Sequence, residues 1–537
     1  VVSGHPLASE AGVHVLRSGG NAVDAAVAVA AALGVVEPQM SGLGGDGFIM
    51  IYWNRTGAVQ VVNGTGPAPR RATLDEYRGG IPYKGIRSFS VPGLVDAWLL
   101  AHKRHGSLSL RSVLSDAIDL ARDGHPMSWM VARTLAADRA MLTFPSTAAV
   151  YAPSGVPLGA GDVVRQPALA RTLEALADGG RAAFYEGEVA RAIAAFSKQN
   201  DGLVDYDDLA SFRARWQPPI STHYRGYTVF EGPPNCSGHV LLQELNLVEQ
   251  FDVASLGCNT PESIHLMVEA KRLAFADREA YLADPDWVEV PIDGLISKSY
   301  ARERASLIDP RRAAAIVTPG DPWPHQGGGR QPNRTVDSSG RAENTTCFVV
   351  VDRWGNAVCQ LQSIQSAFGS GLIEPHTGIL LNNRMTYWHT DPTHIDCLAP
   401  GKRVRHTMNP VMVFCDRRLV LVCGTPGADT QVQTNLQVIS HVLDFGMRVN
   451  EAVEAPRWRH LQNPTESEYP HTCEDALVLE GRFGEDVSRG LAARGHSIRR
   501  IGPWEASGSE VMIQVNPETG ALFGGADPRR DAYAIGY

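Results

Sequence analysis

The sequence predicts an α+β fold in which β-sheets are covered by helices on both outer faces. Three observations predict this fold. Strand-like segments, rich in β-branched and aromatic residues, occur near the start of the chain and again after residue 345. A long, mainly helical stretch lies between them. The composition, 44% hydrophobic and 20% charged with 53 glycines and 34 prolines, is that of a globular protein rich in turns.

The first predicted element is a helix over residues 22–36, which consists almost wholly of small apolar side chains. Asn21 is a good N-cap, and small side chains all round the helix predict tight packing between two layers. The run contains Asp24 and stops at Glu37 and Pro38, so it is too short to cross a bilayer. We therefore expect a buried helix and no membrane partner.

The other predicted elements follow in chain order and are separated by turn signals. Before residue 318 they are strands at 48–53 and 58–62 and helices at 108–122, 166–177, 240–251 and 261–283. After residue 345 they are strands at 346–351, 357–363, 378–382, 411–415, 419–424, 476–480 and 510–515 and a helix at 431–445. The first two of these later strands form a predicted hairpin across residues 352–356.

Residues 318–344 have almost no apolar periodicity and are rich in glycine, proline and polar side chains. Such a segment buries little apolar surface, so we expect it to be mobile surface chain. Mobile surface chain is where a polypeptide is easily cut. The segment therefore divides the sequence into a large part, 1–344, and a small part, 345–537.

The net charge of −9 and the pI near 6.0 argue against nucleic acid as a partner, because a phosphate backbone requires clustered Lys and Arg. The eight cysteines are scattered and form no C-x-x-C pair, so reduced core thiols are expected. The chain begins at Val1 without a basic and apolar leader. A cytoplasmic location is expected, or a periplasmic one if a leader has been removed.

The glycine-rich stretch at residues 42–47 matches the G-x-G-x-x-G pattern of dinucleotide-binding proteins. In those proteins the glycines follow a strand and open a helix. Here the order is reversed, since the glycines follow a helix and lead into a strand. We therefore reject a nucleotide site at this stretch.

Thr345 is the candidate nucleophile, because it stands where the loose segment meets a strand. An internal threonine has no base beside it, whereas an N-terminal threonine carries an α-amine with a pKa of about 7.7–8.0. Such an amine can take the hydroxyl proton at neutral pH. The alternative is that Thr345 and Thr346 simply start a β-strand, for which threonine is a common residue.

Several motifs resemble those of the γ-glutamyltransferase family of N-terminal nucleophile (Ntn) hydrolases, over nearly the whole chain. The matching segments are 19–26 (GGNAVDAA), 42–45 (GLGG), 91–93 (VPG), 284–285 (DP), 345–346 (TT), 378–383 (GILLNN) and 527–529 (DPR). The resemblance implies a four-layer αββα sandwich built from one precursor. It also implies cleavage between Asn344 and Thr345, after which the large and small chains pair as a heterodimer, with a dimer of heterodimers left open.

The resemblance implies a mechanism without metal or cofactor. Thr345 Oγ1 would attack first the Asn344 carbonyl and later a small-molecule amide substrate, with the freed α-amine as general base and acid. Successive backbone N–H groups of Gly427 and Ala428 would form the oxyanion hole, although many relatives have glycine in place of Ala428. Ser363 would be the auxiliary hydroxyl on the neighbouring strand. Thr346 would orient the nucleophile.

The sequence departs from the family at the positions that hold a γ-glutamyl group. The family's carboxylate-binding arginine is replaced by Thr65, and the positions that hold the amine are Arg384 and Tyr387. The adjacent serine pair of the family is replaced by His406 and Thr407, and Gln365 is a further position expected to contact substrate. An arginine where an ammonium would lie is repulsive, so glutathione should bind badly.

These departures favour a small acidic amide such as oxamate, because a guanidinium pairs well with a carboxylate close to the scissile bond. Four alternatives stay open: a γ-glutamyltransferase or glutathione hydrolase, a cephalosporin-type acylase, an uncleaved ligand-binding relative, and, for Arg384 itself, an ordinary ion pair with a carboxylate on the far strand. His389 and His394 lack a third ligand at a plausible spacing in the sequence, so a metal site is not expected.

Overall fold

The computed structural model describes residues 1–327 and 345–537. Within these residues two β-sheets lie face to face, and each carries helices on its outer side. The architecture is a four-layer αββα sandwich, and the expected α+β class is confirmed. Among the described residues, the helices are either too short or too polar to cross a lipid bilayer.

The strands are β1 (Val2–Ser3), β2 (Asp46–Trp53), β3 (Ala58–Gly64), β4 (His125–Pro126), β5 (Val163–Val164), β6 (Arg215–Gln217), β7 (Ile220–Tyr224), β8 (Tyr227–Glu231), β9 (Thr346–Val351), β10 (Ala357–Ser363), β11 (Val411–Cys415), β12 (Arg418–Gly424), β13 (Trp458–Leu461), β14 (Ala476–Glu480), β15 (Ile498–Ile501), β16 (Val511–Val515), β17 (Leu522–Ala526) and β18 (Tyr533–Ala534). The helices are α1 (Pro6–Arg17), α2 (Ala22–Val36), α3 (Leu94–His105), α4 (Leu110–Asp123), α5 (Trp129–Ala137), α6 (Pro145–Tyr151), α7 (Pro167–Tyr185), α8 (Glu188–Gln199), α9 (Tyr206–Ser211), α10 (Gly238–Val248), α11 (Val253–Leu256), α12 (Pro261–Tyr281), α13 (Ile292–Leu295), α14 (Lys298–Ala305), α15 (Thr430–Leu443), α16 (Val449–Glu454) and α17 (Glu485–Ala493).

The first large sheet has the strand order β18-β1-β9-β10-β2-β3-β6, and the second has β17-β16-β12-β11-β8-β7. All neighbours in both sheets run antiparallel. A smaller sheet, β13-β14-β15, packs with the second helix layer, and β4 pairs with β5. Antiparallel order lets neighbouring strands be joined by short hairpins.

Side-chain alternation along β9 shows how the four layers are built. Phe348 and Val350 point to the outer face and pack into the core formed with α2 and its neighbouring helices. Cys347 and Val349 point to the inner face and pack against the second sheet. All four are almost fully buried. A strand between two apolar layers is apolar on both faces, which is the composition that the sequence shows there.

Helix α2 confirms the prediction for residues 22–36. Asn21 caps it, because its side chain accepts hydrogen bonds from Val23 N and Asp24 N, and Asp24 completes a capping box. The helix is buried on every side, between β9 and β10 below and helices α1, α3 and α4 around it. Small side chains all round are therefore a packing requirement, since larger ones would push these layers apart.

The hairpin of β9 and β10 has the predicted bounds. Its turn is fixed by Asp352, whose carboxylate accepts hydrogen bonds from Trp354 N, Asn356 N and, on the next layer, Ala22 N at 2.9–3.0 Å. The backbone N–H of Asp352 donates to the Asn356 carbonyl. The turn thus fixes both the hairpin register and the position of α2 above it.

Three sequence expectations are wrong in this part of the molecule. Residues 378–382 form only isolated bridges, because Gly378 has a left-handed φ of 70° and the segment runs across loop residues rather than along a strand. Strands β7 and β8 lie in the stretch that the sequence indicated as helical. Residues 318–327 are docked: Trp323 is 6% exposed and packs beside Tyr300. Residues 328–344 of the expected linker lie outside the described residues.

The glycine-rich loop after α2 has a packing role. A Cβ at Gly44 would lie 2.2 Å from the Leu380 carbonyl oxygen, and one at Gly45 would lie 2.3 Å from the Ser363 carbonyl oxygen. Both distances are far below van der Waals contact. The glycines therefore let the loop lie directly against the end of β10, where Ser363 is.

We expect Gly45→Ala to lower the free energy of unfolding by about 1–3 kcal/mol, because the added methyl group must displace the end of β10. Gly79→Ala is the matched control, since nothing lies within 4 Å of the corresponding Cβ position. Urea unfolding followed by tryptophan fluorescence measures both variants. Equal midpoints for the two would contradict the packing role.

Candidate active site

Thr345 and Ser363 meet at one end of the first sheet. Thr345 immediately precedes β9, Ser363 ends β10, and their hydroxyl oxygens are 3.3 Å apart. Both side chains are buried, and Ser363 Oγ also accepts a hydrogen bond from Gln365 N at 2.8 Å. This is the pairing that the resemblance implied for a nucleophile and its auxiliary hydroxyl. Asn344, the other half of the predicted cleavage site, lies outside the described residues.

Thr346 is held by a carboxyl group that the sequence reasoning missed. Its hydroxyl donates to Glu37 Oε2 at 2.7 Å, at the C-terminal end of α2. Burial raises the pKa of the Glu37 carboxyl to about 7, although the hydrogen bond from Thr346 favours the ionised form. The contact restrains the backbone beside Thr345, so the geometry agrees with an orienting role for Thr346.

The predicted oxyanion-hole residues lie in the turn between β12 and α15. The last residue of β12, Gly424, touches β9, since a Cβ there would lie 2.8 Å from Cys347 Sγ. The turn therefore follows at the same end of the sandwich as Thr345. Gly427 has a φ of 124° and Ala428 a φ of 48°. A left-handed alanine costs roughly 1–2 kcal/mol, so this turn keeps its shape at a cost that glycine would avoid.

Arg384 is already paired with a carboxylate of the protein, so the expectation that its guanidinium is available to a substrate carboxylate is wrong. Its Nε and Nη2 both donate to the carboxylate of Asp46 at 3.1 Å, and both side chains are 1% exposed. Asp46 opens β2 and pairs with Ser363 in the strand ladder. The ion-pair alternative is therefore the one observed. It uses the Nε–Nη2 edge of the guanidinium, which a substrate carboxylate would otherwise occupy.

His406 completes this buried cluster. Its Nε2 is 3.2 Å from Asp46 Oδ2. Burial and the neighbouring Arg384 lower the pKa of His406 to about 4, despite Asp46. Burial alone would raise the pKa of Asp46, but Arg384 and His406 outweigh it and hold that pKa below its ordinary value. Near pH 7 the cluster is therefore an ion pair beside a neutral imidazole, with no net charge.

Thr65, Tyr387 and Thr407 are also buried. Together with Asp46, Arg384 and His406 they form one wall of the candidate site. Tyr387 and Thr407 share a hydrogen bond of 3.2 Å between their hydroxyl groups. The Thr65 hydroxyl donates to Asn63 Oδ1 at 2.6 Å, at the end of β3. A nearby amide, Asn235, joins the same network through its Nδ2 at 3.2 Å from Thr65 Oγ1. The side chain at the position of the family's arginine is thus neutral and bound to two amides, while Arg403 Nε donates to the Thr65 carbonyl oxygen at 3.1 Å.

Gln365 contacts a segment that the sequence reasoning missed. Its Nε2 donates to Glu468 Oε1 at 3.1 Å, and Ser366 Oγ donates to the same oxygen at 2.9 Å. Glu468 belongs to residues 462–475, which run from the turn between β12 and α15 to the residues around Arg384. In this segment Tyr469 N donates to the Thr386 carbonyl oxygen. Burial raises the pKa of Glu468 to about 7. Because Asp46 neutralises Arg384, this wall does not offer the guanidinium that was expected to pair with a substrate carboxylate.

The missed residues differ in how visible they are in the sequence. Asp46 stands within the glycine-rich stretch at residues 42–47, whose glycines match a nucleotide-binding pattern but give no sign of a buried ion pair. Glu37 ends a helix just before a proline, which is an unusual place for a buried acid but not a specific signal. Glu468 carries no signal at all, since its partners are about a hundred residues away in the chain.

His389 and His394 stack with their ring centroids 3.4 Å apart, and Glu279 offers a third ligand atom within 4.8 Å. The expectation that these histidines lack a third ligand is therefore wrong. Arg405 binds the Glu279 carboxylate at 2.5 Å. His394 Nδ1 accepts a hydrogen bond from Asp396 N, which leaves the proton of a neutral ring on Nε2. Arg405 thus neutralises the Glu279 carboxylate, and the hydrogen bond from Asp396 N fixes the tautomer of the His394 ring.

We expect Asp46→Asn to lower the free energy of unfolding by about 3–5 kcal/mol, because it leaves Arg384 buried without its counter-ion. The double variant Asp46→Asn/Arg384→Met should recover most of that loss. Asp75→Asn removes a carboxylate from an exposed pair with Arg78 and is the control, with an expected change of less than about 1 kcal/mol. Urea unfolding measures all three. A double variant no more stable than Asp46→Asn would contradict the argument.

Comparisons with known proteins agree with this geometry. The family model described as Gamma-glutamyltranspeptidase matches residues 8–537. The chain is 38% identical to the glutathione hydrolase-like YwrD proenzyme of Bacillus subtilis (strain 168), over 100% of this chain and 98% of the relative. It is 34% identical to the oxamate amidohydrolase proenzyme of Klebsiella pneumoniae, with 100% and 98% covered.

A solved structure is similar over the whole fold. The cephalosporin acylase from Bacillus halodurans superposes with a TM-score of 0.89 at 32% identity, covering 100% of this chain and 96% of that one. The family match, the relatives named as hydrolase proenzymes and the αββα sandwich agree. The chain is therefore an enzyme that belongs to the γ-glutamyltransferase family of N-terminal nucleophile hydrolases.

Proposed function

We propose that the chain is a self-processing amidohydrolase whose nucleophile is Thr345, freed by cleavage of the Asn344–Thr345 bond. One observation carries the proposal: Thr345 Oγ1 lies 3.3 Å from Ser363 Oγ at the first residue before a central strand. A buried strand-start threonine paired to a second hydroxyl is more than strand propensity requires. It supports a positioned nucleophile.

Maturation would use the threonine on its own chain. Thr345 Oγ1 attacks the Asn344 carbonyl carbon, the hydroxyl proton passes to the amide nitrogen as the C–N bond breaks, and the acyl group moves from nitrogen to oxygen as an ester. Water then hydrolyses the ester, which releases the carboxylate of Asn344 and leaves Thr345 with a free α-amine. The amine is the base that the internal residue lacked.

Substrate hydrolysis would repeat the chemistry on an external amide. The α-amine takes the proton of Thr345 Oγ1, the oxygen attacks the amide carbon, and the tetrahedral oxyanion faces the Gly427–Ala428 turn. The protonated amine then gives its proton to the leaving nitrogen, and an acyl-threonine remains. Water, or an amine in a transfer reaction, removes the acyl group.

We propose that the acyl group is not γ-glutamyl. The position of the family's carboxylate-binding arginine is Thr65, which is engaged with Asn63 and Asn235. Thr65 offers a γ-glutamyl α-carboxylate no cationic side chain, and the neighbouring guanidinium of Arg403 is already engaged with the Thr65 carbonyl oxygen and with Asp286. A small acidic amide such as oxamate is our candidate substrate, supported by the Klebsiella relative. Because Asp46 neutralises Arg384, Arg384 is no evidence for an acidic substrate. What argues against a γ-glutamyl group is the absence of the family's arginine at position 65. The likeness to an acylase favours bulkier amides as the second candidate.

Intact-mass analysis of the purified protein tests self-processing. We expect two chains, of 344 residues and of the remaining 193 of the 537. Thr345→Ala should stay as one inactive chain, because it lacks the attacking oxygen. Thr345→Ser keeps a hydroxyl group and is the positive control, with cleavage and some activity retained. A cleaved Thr345→Ala chain would exclude Thr345 as the nucleophile of maturation.

A substrate panel tests the acyl group. We expect kcat/KM for ammonia release from oxamate to exceed kcat/KM for γ-glutamyl-p-nitroanilide by at least about tenfold, which corresponds to about 1.4 kcal/mol. Thr65→Arg restores the family's cation and should raise turnover of the γ-glutamyl anilide relative to the parent enzyme. Dominance of the γ-glutamyl anilide in the parent enzyme would contradict the proposed specificity.

A further inference from the structure

A cavity of about 330 Å³ adjoins the Gly427–Ala428 turn, and Arg384 is not among the residues that line it. Gly427 and Ala428 form part of its wall, and the rest comes from α12, the start of α15, β13 and residues 462–475. Cavities that hold small ligands have volumes of about 300–1,000 Å³, so this one is at the small end of that range. It touches a predicted catalytic element but has no part in the mechanism described above.

Lys271 lines this cavity and is the reason to assign it a ligand. The side chain is 1% exposed, its Nζ donates to Gln462 Oε1 at 3.1 Å, and it lies 3.7 Å from the ring centre of Phe275. No carboxylate among the described residues forms an ion pair with it. A buried ammonium held only by an amide and a ring is costly, because its charge is not neutralised.

Nearby carboxyl groups do not supply the missing counter-ion. Burial raises the pKa of Glu244, on α10, to about 8, so this group is neutral near pH 7. Two acids that line the cavity are paired with other cations, Asp429 with Arg278 and Glu474 with Arg499. Burial and the neighbouring Asp429 raise the pKa of Glu466, a third lining acid, well above its ordinary value. Asp475 lies 3.2 Å from His460 Nε2. Burial, with the charge of Arg278, lowers the pKa of Lys271 to about 7, against Cys473, Glu244 and Asp429. An entering anion would reverse that shift.

Two further groups on β13 face the same space. His460 is 5% exposed, and its Nδ1 has no hydrogen-bond partner among the described residues. Arg459 also lines the cavity, with Nη1 donating to Ser507 Oγ at 3.0 Å. The Lys271 amine and the Arg459 guanidinium line one small cavity and are both donors for an oxyanion. The neutral His460 ring has its proton on Nε2, toward Asp475, so its Nδ1 can only accept a hydrogen bond.

We propose that this cavity is a carboxylate-binding subsite, with Lys271 as its principal cation. The choice of a carboxylate rests on the proposed function, since every amide that the enzyme hydrolyses yields a carboxylic acid, and acidic amides already carry one. The carboxylate belongs to the acyl half of the substrate, to its amine half, or to a free acid. All three sources share one chemistry and are separated by experiment.

Calorimetric titration of the mature enzyme with glutarate and acetate at pH 8 tests binding directly. We expect saturable binding of glutarate accompanied by proton uptake, measured in two buffers of different ionisation enthalpy, because the carboxylate raises the pKa of Lys271. Lys271→Met should weaken binding by at least about tenfold. The variant should fold, because replacing a buried unpaired charge by an apolar side chain is often neutral or stabilising. Lys198→Met, at an exposed lysine on α8, is the control.

Three anilides identify the source. Glutaryl-p-nitroanilide has its carboxylate on the acyl half, valeryl-3-carboxy-4-nitroanilide has it on the amine half, and valeryl-p-nitroanilide has none. Lys271→Met should raise KM for the carboxylated substrate that uses the subsite and leave the uncharged one unchanged. If the subsite instead binds a free acid, glutarate should inhibit the parent enzyme and should not inhibit Lys271→Met. No binding heat, together with KM values that Lys271→Met leaves unchanged, overturns the proposal. Binding without turnover of any anilide would instead count against the proposed function alone.

Discussion

The antiparallel ladder between β9 and β10 is the constraint on which the site depends. Its register pairs Thr346 with Gln362, so Thr345 and Ser363 come side by side at the open end of the hairpin. The opposite end is fixed by the Asp352 turn, which also holds α2. A shift of one residue would turn every side chain of β9 to the other face and separate the two hydroxyl groups. The pairing of β9 with β10 therefore also sets the distance between the Thr345 and Ser363 hydroxyl groups.

Buried charges around this hairpin are treated in different ways. Asp46 and Arg384 neutralise each other with two hydrogen bonds, which makes their wall rigid and leaves it without net charge. Glu37 accepts a hydrogen bond from the Thr346 hydroxyl and has the charge of Arg530 nearby, yet burial raises its pKa. Lys271 has an amide and an aromatic ring, and its pKa falls. The environment of each group, rather than its type, decides whether it carries charge near pH 7.

Much of the fold could be predicted from the sequence, because local patterns determine it. Helix α2 and the β9–β10 hairpin follow from capping, side-chain size and alternation, and the pairing of Thr345 with Ser363 follows from the hairpin. The wall of the site could not be predicted in the same way. Asp46 and Arg384 are separated by 338 residues, and Gln365 and Glu468 by 103, so only the folded chain shows that they meet. Family resemblance singled out Arg384 but said nothing of its partner Asp46, and the missing partner is why the charge of Arg384 was misjudged.

Both large sheets combine strands from before and after the segment at 318–344. In the first sheet β1 lies between β18 and β9, and β10 lies beside β2; in the second, β11 lies beside β8. If the chain is cut as proposed, the two products would be interleaved through continuous hydrogen-bond ladders rather than docked across a surface. They could separate only by tearing both sheets apart, so dissociation and denaturation would be one event, and dilution alone would never dismantle the enzyme.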